Sequence, residues 1–313
     1  MRILVTGGAG FIGRWVVKQL LEEGHQVTAF DDLSNGRREN IKEFSGNPAF
    51  RFIEGDIKDQ TALKDIFMEN FAIVYHLAAS INVQDSIDDP RTTFSNDVEG
   101  TFNLLEICRE QSTKIVFMST CMVYDRSQNE NGISELSPVK PASPYAASKL
   151  AGEALTLSYY YAYGLPAVVL RPFNTYGPFQ KSGGEGGVVT IFIKQALSGK
   201  EINIYGSGAQ TRDLLFVEDC ARFVIRAGFS DQANGEILNA GLGEDLSINQ
   251  LAALIANDPE LIKHIEHIHP QSEIQKLKCN YAKAEKLLSW RPDISLEQGL
   301  ALTKAWIAEN PDL

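Results

Sequence analysis

From the first residues of the chain, apolar runs of strand length alternate with segments of helical periodicity. Strands are expected at Arg2–Thr6, Gln26–Phe30, Arg51–Glu54, Ile73–His76, Lys114–Met118 and Ala167–Arg171, and helices at Phe11–Glu23, Thr61–Glu69, Thr92–Glu110 and Pro144–Tyr163. The strands read as near-continuous Val, Ile, Leu and Phe, the pattern of a parallel sheet covered on both faces. This predicts an α/β fold, doubly wound, over residues 1–172. Beyond it the regularity loosens into RPFNTYGPFQKSGGEGG, which ends near Gly187. Shorter elements follow at Val188–Leu197, Glu201–Tyr205, Glu218–Phe229, Ile237–Ala240, Ile248–Ala256, Ala282–Ser289 and Leu296–Glu309. Residues 173–313 are therefore expected to form a smaller α/β part, with room for the chain to cross back to the sheet. Placed over the carboxyl ends of the strands, it would form the cleft where such sheets bind ligands.

Composition narrows the function. The 313 residues are 44 % hydrophobic and 22 % charged, ordinary globular values that argue against a disordered or membrane-spanning chain. With 29 Lys+Arg against 40 Asp+Glu the formal charge is −11, which repels nucleic acid and acidic lipid, so neither is expected as a partner. Cys108, Cys121, Cys220 and Cys279 are far apart, with no sign of a disulfide framework or a thiolate zinc site. His264, His267 and His269 alternate with Ile as on the polar face of a strand, and no metal is expected. The apolar start of MRILVTGGAGFIG is too short for a signal peptide, so a cytoplasmic protein is expected.

Thr6-Gly7-Gly8-Ala9-Gly10-Phe11-Ile12-Gly13 follows a strand and opens a helix, the setting in which glycines bring backbone N–H groups and the helix dipole to a pyrophosphate. Asp31 ends the second strand 18 residues after Gly13, near the offset at which a carboxylate meets the adenosine ribose. A carboxylate there repels a 2′-phosphate and favours NAD over NADP, although Arg37 and Arg38 lie close by. Asp32 shares this strand end. Asp56 and Ile57 after the third strand, and Leu77, Ala78 and Ala79 after the fourth, are placed to line the dinucleotide.

Tyr145 and Lys149 share one face of the helix that follows Ser143-Pro144. An ammonium beside a phenol favours phenolate, which is the state a general base needs. Ser119 and Thr120, at the carboxyl end of Lys114–Met118, are the expected hydroxyl partners.

Taken in order, TGGAGFIG, Asp31, the hydroxyl pair and YAASK resemble the extended short-chain dehydrogenase/reductase family, in particular its nucleotide-sugar epimerases and dehydratases. The resemblance implies a Rossmann sheet, bound NAD and a nucleotide-diphosphate sugar as substrate. Tyr145 would take the proton of the sugar 4-hydroxyl, Lys149 would hold the nicotinamide ribose, and Thr120 would bind the same sugar oxygen. It further implies Gly7, Gly10, Phe11, Ile12, Gly13 and Ser119 at the cofactor, and Asn174, Val189, Tyr205, Gln210 and Arg212 at the nucleotide sugar. A homodimer, paired through Thr92–Glu110 and Tyr145–Tyr163, is expected by the same analogy.

Departures shape the choice of reaction. Dehydratases and decarboxylases of this kind carry acids directly after the catalytic hydroxyl, where this chain has Cys121 and Met122. Methionine takes no proton, whereas a tuned thiol can act as acid or base. The leading reading is therefore a 4-epimerase acting on a UDP-hexose or UDP-hexuronate, with a dehydratase using Cys121 as the alternative. A silent NAD-sensing or scaffold protein on the same fold is the reading from another class. Asp97 replaces an expected Asn, Asp125 an expected Gly, and His269 an expected second diphosphate arginine. Gly183–Gly187 reads as a lid or as a flexible connection.

Overall fold

The structure, a computed structural model, describes residues 1–125, 131–181, 187–266 and 274–311. Numbered in chain order, the strands of its main sheet are β1 Arg2–Thr6, β2 Gln26–Asp31, β3 Phe50–Glu54, β4 Ile73–His76, β5 Lys114–Met118, β6 Ala167–Pro172 and β7 Ile237–Ala240. All are parallel, in the order β7-β6-β5-β4-β1-β2-β3. The order reverses between β1 and β4, and a crevice opens there beyond the carboxyl ends of the strands.

The alternation of side chains along each strand separates two cores. Ile3 and Val5 of β1 face one cluster, with helices Phe11–Glu22 and Val217–Phe229. Leu4 faces the other, with helices Gln60–Phe67 and Gly100–Gln111. Helices on both faces explain why β4, β5 and β6 carry no exposed residue and read as unbroken apolar runs.

The chain crosses back to the main sheet after residue 172, as the sequence reading allowed: β7 pairs with β6 and Val217–Phe229 covers its face. One feature differs from the sequence pattern. The segment read as one helix, Thr92–Glu110, is Pro90–Phe94 and Gly100–Gln111 joined through a π turn at Ser95–Glu99. That wider turn buries Asp97, and hydropathy alone gives no sign of an inward carboxylate on an otherwise helical segment.

The smaller part packs helices Val188–Leu197, Ile248–Ile255 and Leu296–Glu309 around strand Ile202–Tyr205, which pairs with Ile262–Ile265. His264 lies exposed on that pairing strand and bonds Asn249, while His267 and His269 fall outside the described residues. Gly183–Gly186 of the glycine run also fall outside them. The buried Arg14 joins the two parts, its guanidinium carbon 3.9 Å from the Phe179 ring centre and 4.5 Å from that of Trp15. Trp15 Nε1 donates to Pro178 O at 3.3 Å across the same junction. Among the described residues no helix is long and apolar enough to cross a membrane.

Candidate active site

A cleft of about 290 Å³ runs along the carboxyl ends of β1, β2, β4, β5 and β6. Gly7, Gly10, Phe11, Ile12, Gly13, Asp31, Asp32, Asp56, Ile57, Leu77, Ala78, Ala79, Ser119, Thr120, Cys121, Tyr145, Lys149 and Asn174 line it, so the residues read as cofactor and catalytic groups lie together. Val189, Tyr205, Gln210 and Arg212 lie outside this lining: Val189 and Gln210 are buried in the smaller part, and Arg212 Nη1 donates to Ile274 O at 2.9 Å.

At one end the cleft is made of backbone. Gly7 has φ +70°, and a Cβ there would stand 2.7 Å from Ala78 N. A Cβ on Gly13 would stand 2.0 Å from Gly7 O, so only glycine lets the helix start this close to the strand. Gly10 caps helix Phe11–Glu22 with no side-chain bond and no acid in the first turn, leaving its leading N–H groups for an anion. Asp31 is buried, and accepts from Ala9 N at 3.0 Å and Leu33 N at 2.9 Å. Burial raises its pKa, and those two backbone bonds oppose the shift. The cradle is tied to β4 through Thr6 Oγ1, which bonds His76 Nδ1 at 2.8 Å and accepts from Ala78 N at 3.3 Å. A pyrophosphate flanked by riboses fits this end.

The other end is made of side chains brought from several elements. Thr120 follows β5 and its Oγ1 accepts from Met122 N at 3.2 Å. Tyr145 and Lys149 lie on helix Pro144–Tyr163, which starts at the Ser143 cap and Pro144. Asn174 lines the cleft, and its Oδ1 is shielded from solvent with no hydrogen-bond partner among the described residues.

The electrostatics differ from the sequence expectation. Burial raises the Tyr145 phenol above its ordinary range, Asp97 adds to that, and the Thr120 hydrogen bond opposes it. The sequence expectation is a phenol lowered by Lys149, whereas the surroundings of Tyr145 raise it. Burial likewise lowers Lys149, opposed by the carboxylates of Asp97 and Glu153. Asp97 accepts from Ser80 N at 2.7 Å and from Ser148 Oγ at 2.8 Å, linking the segment after β4 to the catalytic helix. Burial pushes the Cys121 thiol up to about 12, so it is a proton donor and not a base near neutral pH.

Met118, Asn35, Gly36 and Asn96 also line the cleft, and no motif in the sequence points to them or to a role for Glu153. Met118 directly adjoins Ser119 in the chain, whereas Glu153 reaches the site only through the fold.

The model of the NAD dependent epimerase/dehydratase family matches residues 3–241. The chain is 61 % identical to Pal from Bacillus thuringiensis, whose solved structure superposes with a TM-score of 0.97 over 99 % of this chain and all (100 %) of that one. It is 37 % identical to a UDP-glucose 4-epimerase of Mycolicibacterium smegmatis over 97 % of each chain. A dTDP-glucose 4,6-dehydratase from Bacillus anthracis, solved in complex with NAD, is 29 % identical with a TM-score of 0.89, covering 99 % of this chain and 97 % of that one.

Proposed function

The chain belongs to the NAD-dependent epimerase/dehydratase family, whose cofactor is NAD, and we propose that it is a nucleotide-sugar 4-epimerase acting on a UDP-hexose or UDP-hexuronate through a transient 4-keto sugar. NAD supplies a reversible hydride acceptor for sugar carbon 4. Tyr145 moves the proton of the 4-hydroxyl and returns it after the keto sugar turns over. Thr120 orients that oxygen, and Lys149 holds the nicotinamide ribose. Burial raises the Tyr145 phenol, and positive charge facing it would favour the base form.

One observation carries the choice of epimerisation. Among the described residues lining the cleft the carboxylates are Asp31, Asp32 and Asp56, all at the ends of β2 and β3 and none beside Tyr145. Removing a proton from carbon 5, as dehydration requires, needs a base at the reactive end. The lyase reading rests on Cys121, which lines the cleft there but stays protonated. Mass spectrometry of the product separates the two: unchanged mass with inverted carbon 4 supports epimerisation, and loss of water overturns it.

Asn174, Val189, Tyr205, Gln210 and Arg212 are the proposed nucleotide-sugar contacts. The exposed Phe94, Phe102 and Tyr161, on the helices read as the pairing surface, support a homodimer. Sedimentation of Phe102→Glu should give monomer if that surface pairs.

A further inference from the structure

Next to the cleft lies a buried ion pair that the mechanism above does not use. Glu153 sits one helical turn beyond Lys149, is 2 % exposed, and faces Arg171 of β6, which is 3 % exposed. Arg171 Nε donates to Glu153 Oε1 at 2.8 Å, and Arg171 Nη2 bonds Glu153 Oε2. The Ser119 hydroxyl bonds Glu153 Oε1 as well. Arg171 also lies 4.7 Å from the Tyr124 ring centre, and the Tyr124 hydroxyl donates to Asn239 Oδ1 of β7 at 2.7 Å. Glu153 thus ends a buried polar chain that joins the catalytic helix to β6, Tyr124 and β7.

The direction of these bonds is fixed by chemistry. A guanidinium only donates, and a carboxylate paired with it only accepts. The Ser119 proton therefore points at Glu153, so Ser119, which lines the cleft, has only lone pairs left for a further partner. Its neighbour has other partners: Thr120 Oγ1 accepts from Met122 N and is hydrogen-bonded to the Tyr145 phenol. A buried ion pair is seldom more stable than an apolar pair of the same volume, so a role beyond stability accounts for its place here.

We propose that Glu153, held by Arg171, is a positioning residue that fixes Ser119 as a hydrogen-bond acceptor for a ligand N–H or O–H donor at the reactive end. The two donors that reach this end are the carboxamide N–H of the nicotinamide and a hydroxyl of the sugar. The assignment needs only the NAD dependence of the family and not the identity of the sugar.

The test uses the full chain, with NAD affinity measured by calorimetry in the absence of any sugar, and KM measured with UDP-glucose as the probe. Ser119→Ala leaves the ion pair intact and should keep the parental thermal midpoint while weakening NAD or raising KM by about tenfold, the scale of one lost hydrogen bond. Weakened NAD assigns the donor to the carboxamide, and a raised KM with unchanged NAD affinity assigns it to the sugar. The charge-free pair Glu153→Leu/Arg171→Met should weaken the same quantity, and should add nothing in the Ser119→Ala background. A merely structural pair would instead give additive losses. Additive losses, or Ser119→Ala with parental NAD affinity and parental KM, overturn the proposal. If the double variant does not fold, Ser119→Ala decides alone. The calorimetric arm contains no sugar, so a wrong sugar assignment leaves it intact.

Discussion

The two ends of the cleft are built by different means. At the cradle, backbone atoms and missing side chains do the work: Gly7 and Gly13 allow close approach, and Asp31 is oriented by two N–H groups. At the reactive end, polar side chains from β5, β6 and helix Pro144–Tyr163 converge on buried charge. Affinity is therefore expected to reside at the first end and rate at the second.

The largest effect should come from the reactive end. Tyr145→Phe is expected to lower kcat by about 10²–10⁴-fold, the usual worth of general acid–base catalysis, while copurifying NAD stays at parental content. A variant that loses its NAD instead would erase the proposed division. At the cradle, Gly13→Ala forces a Cβ to within 2.0 Å of Gly7 O. At about 1–3 kcal/mol for overpacking, calorimetry should show NAD weakened by about tenfold or more, with kcat of the NAD-loaded fraction unchanged.

A smaller effect concerns stability. Burial holds His76 down to about 3, with Lys149 adding to the shift, against 6.5 for an unperturbed histidine. Between those values the unfolded chain binds the extra proton, so stability should fall as pH drops below about 6.5, by at most about 1.4 kcal/mol per pH unit. Thermal melts of His76→Gln over the same range should be flatter than the parent; equal slopes would remove His76 as the cause. The smallest effect is expected of Cys121→Ala. Its kcat should stay near the parental value, and a large loss would move the chemistry from Tyr145 towards the thiol.

The same division governs what was legible beforehand. The cradle could be read residue by residue, since Gly7, Gly10, Gly13 and Asp31 act through their own backbone and the strand and helix they adjoin. At the reactive end Tyr145, Lys149 and Thr120 were legible from spacing and strand-end position. The ionisation of Tyr145 was not, because desolvation depends on what surrounds the phenol. Asp97 stood out as an odd residue, but its inward orientation comes from the π turn at Ser95–Glu99. Glu153 looked like one more helical charge, and only its meeting with Ser119 and Arg171 gives it a role.

By itself the sequence determined the six strands up to residue 172, the glycine turn and the pairing of Tyr145 with Lys149 on one helix face, because each depends on neighbours within a few residues. Tertiary structure alone decided that Asp97 turns inward, that burial raises the Tyr145 phenol and that the Ser119 hydroxyl and Arg171 both bond Glu153. Those outcomes turn on burial and on partners 18 and 34 residues apart in the chain, as with Arg171 and Ser119 around Glu153, and no local pattern encodes such meetings.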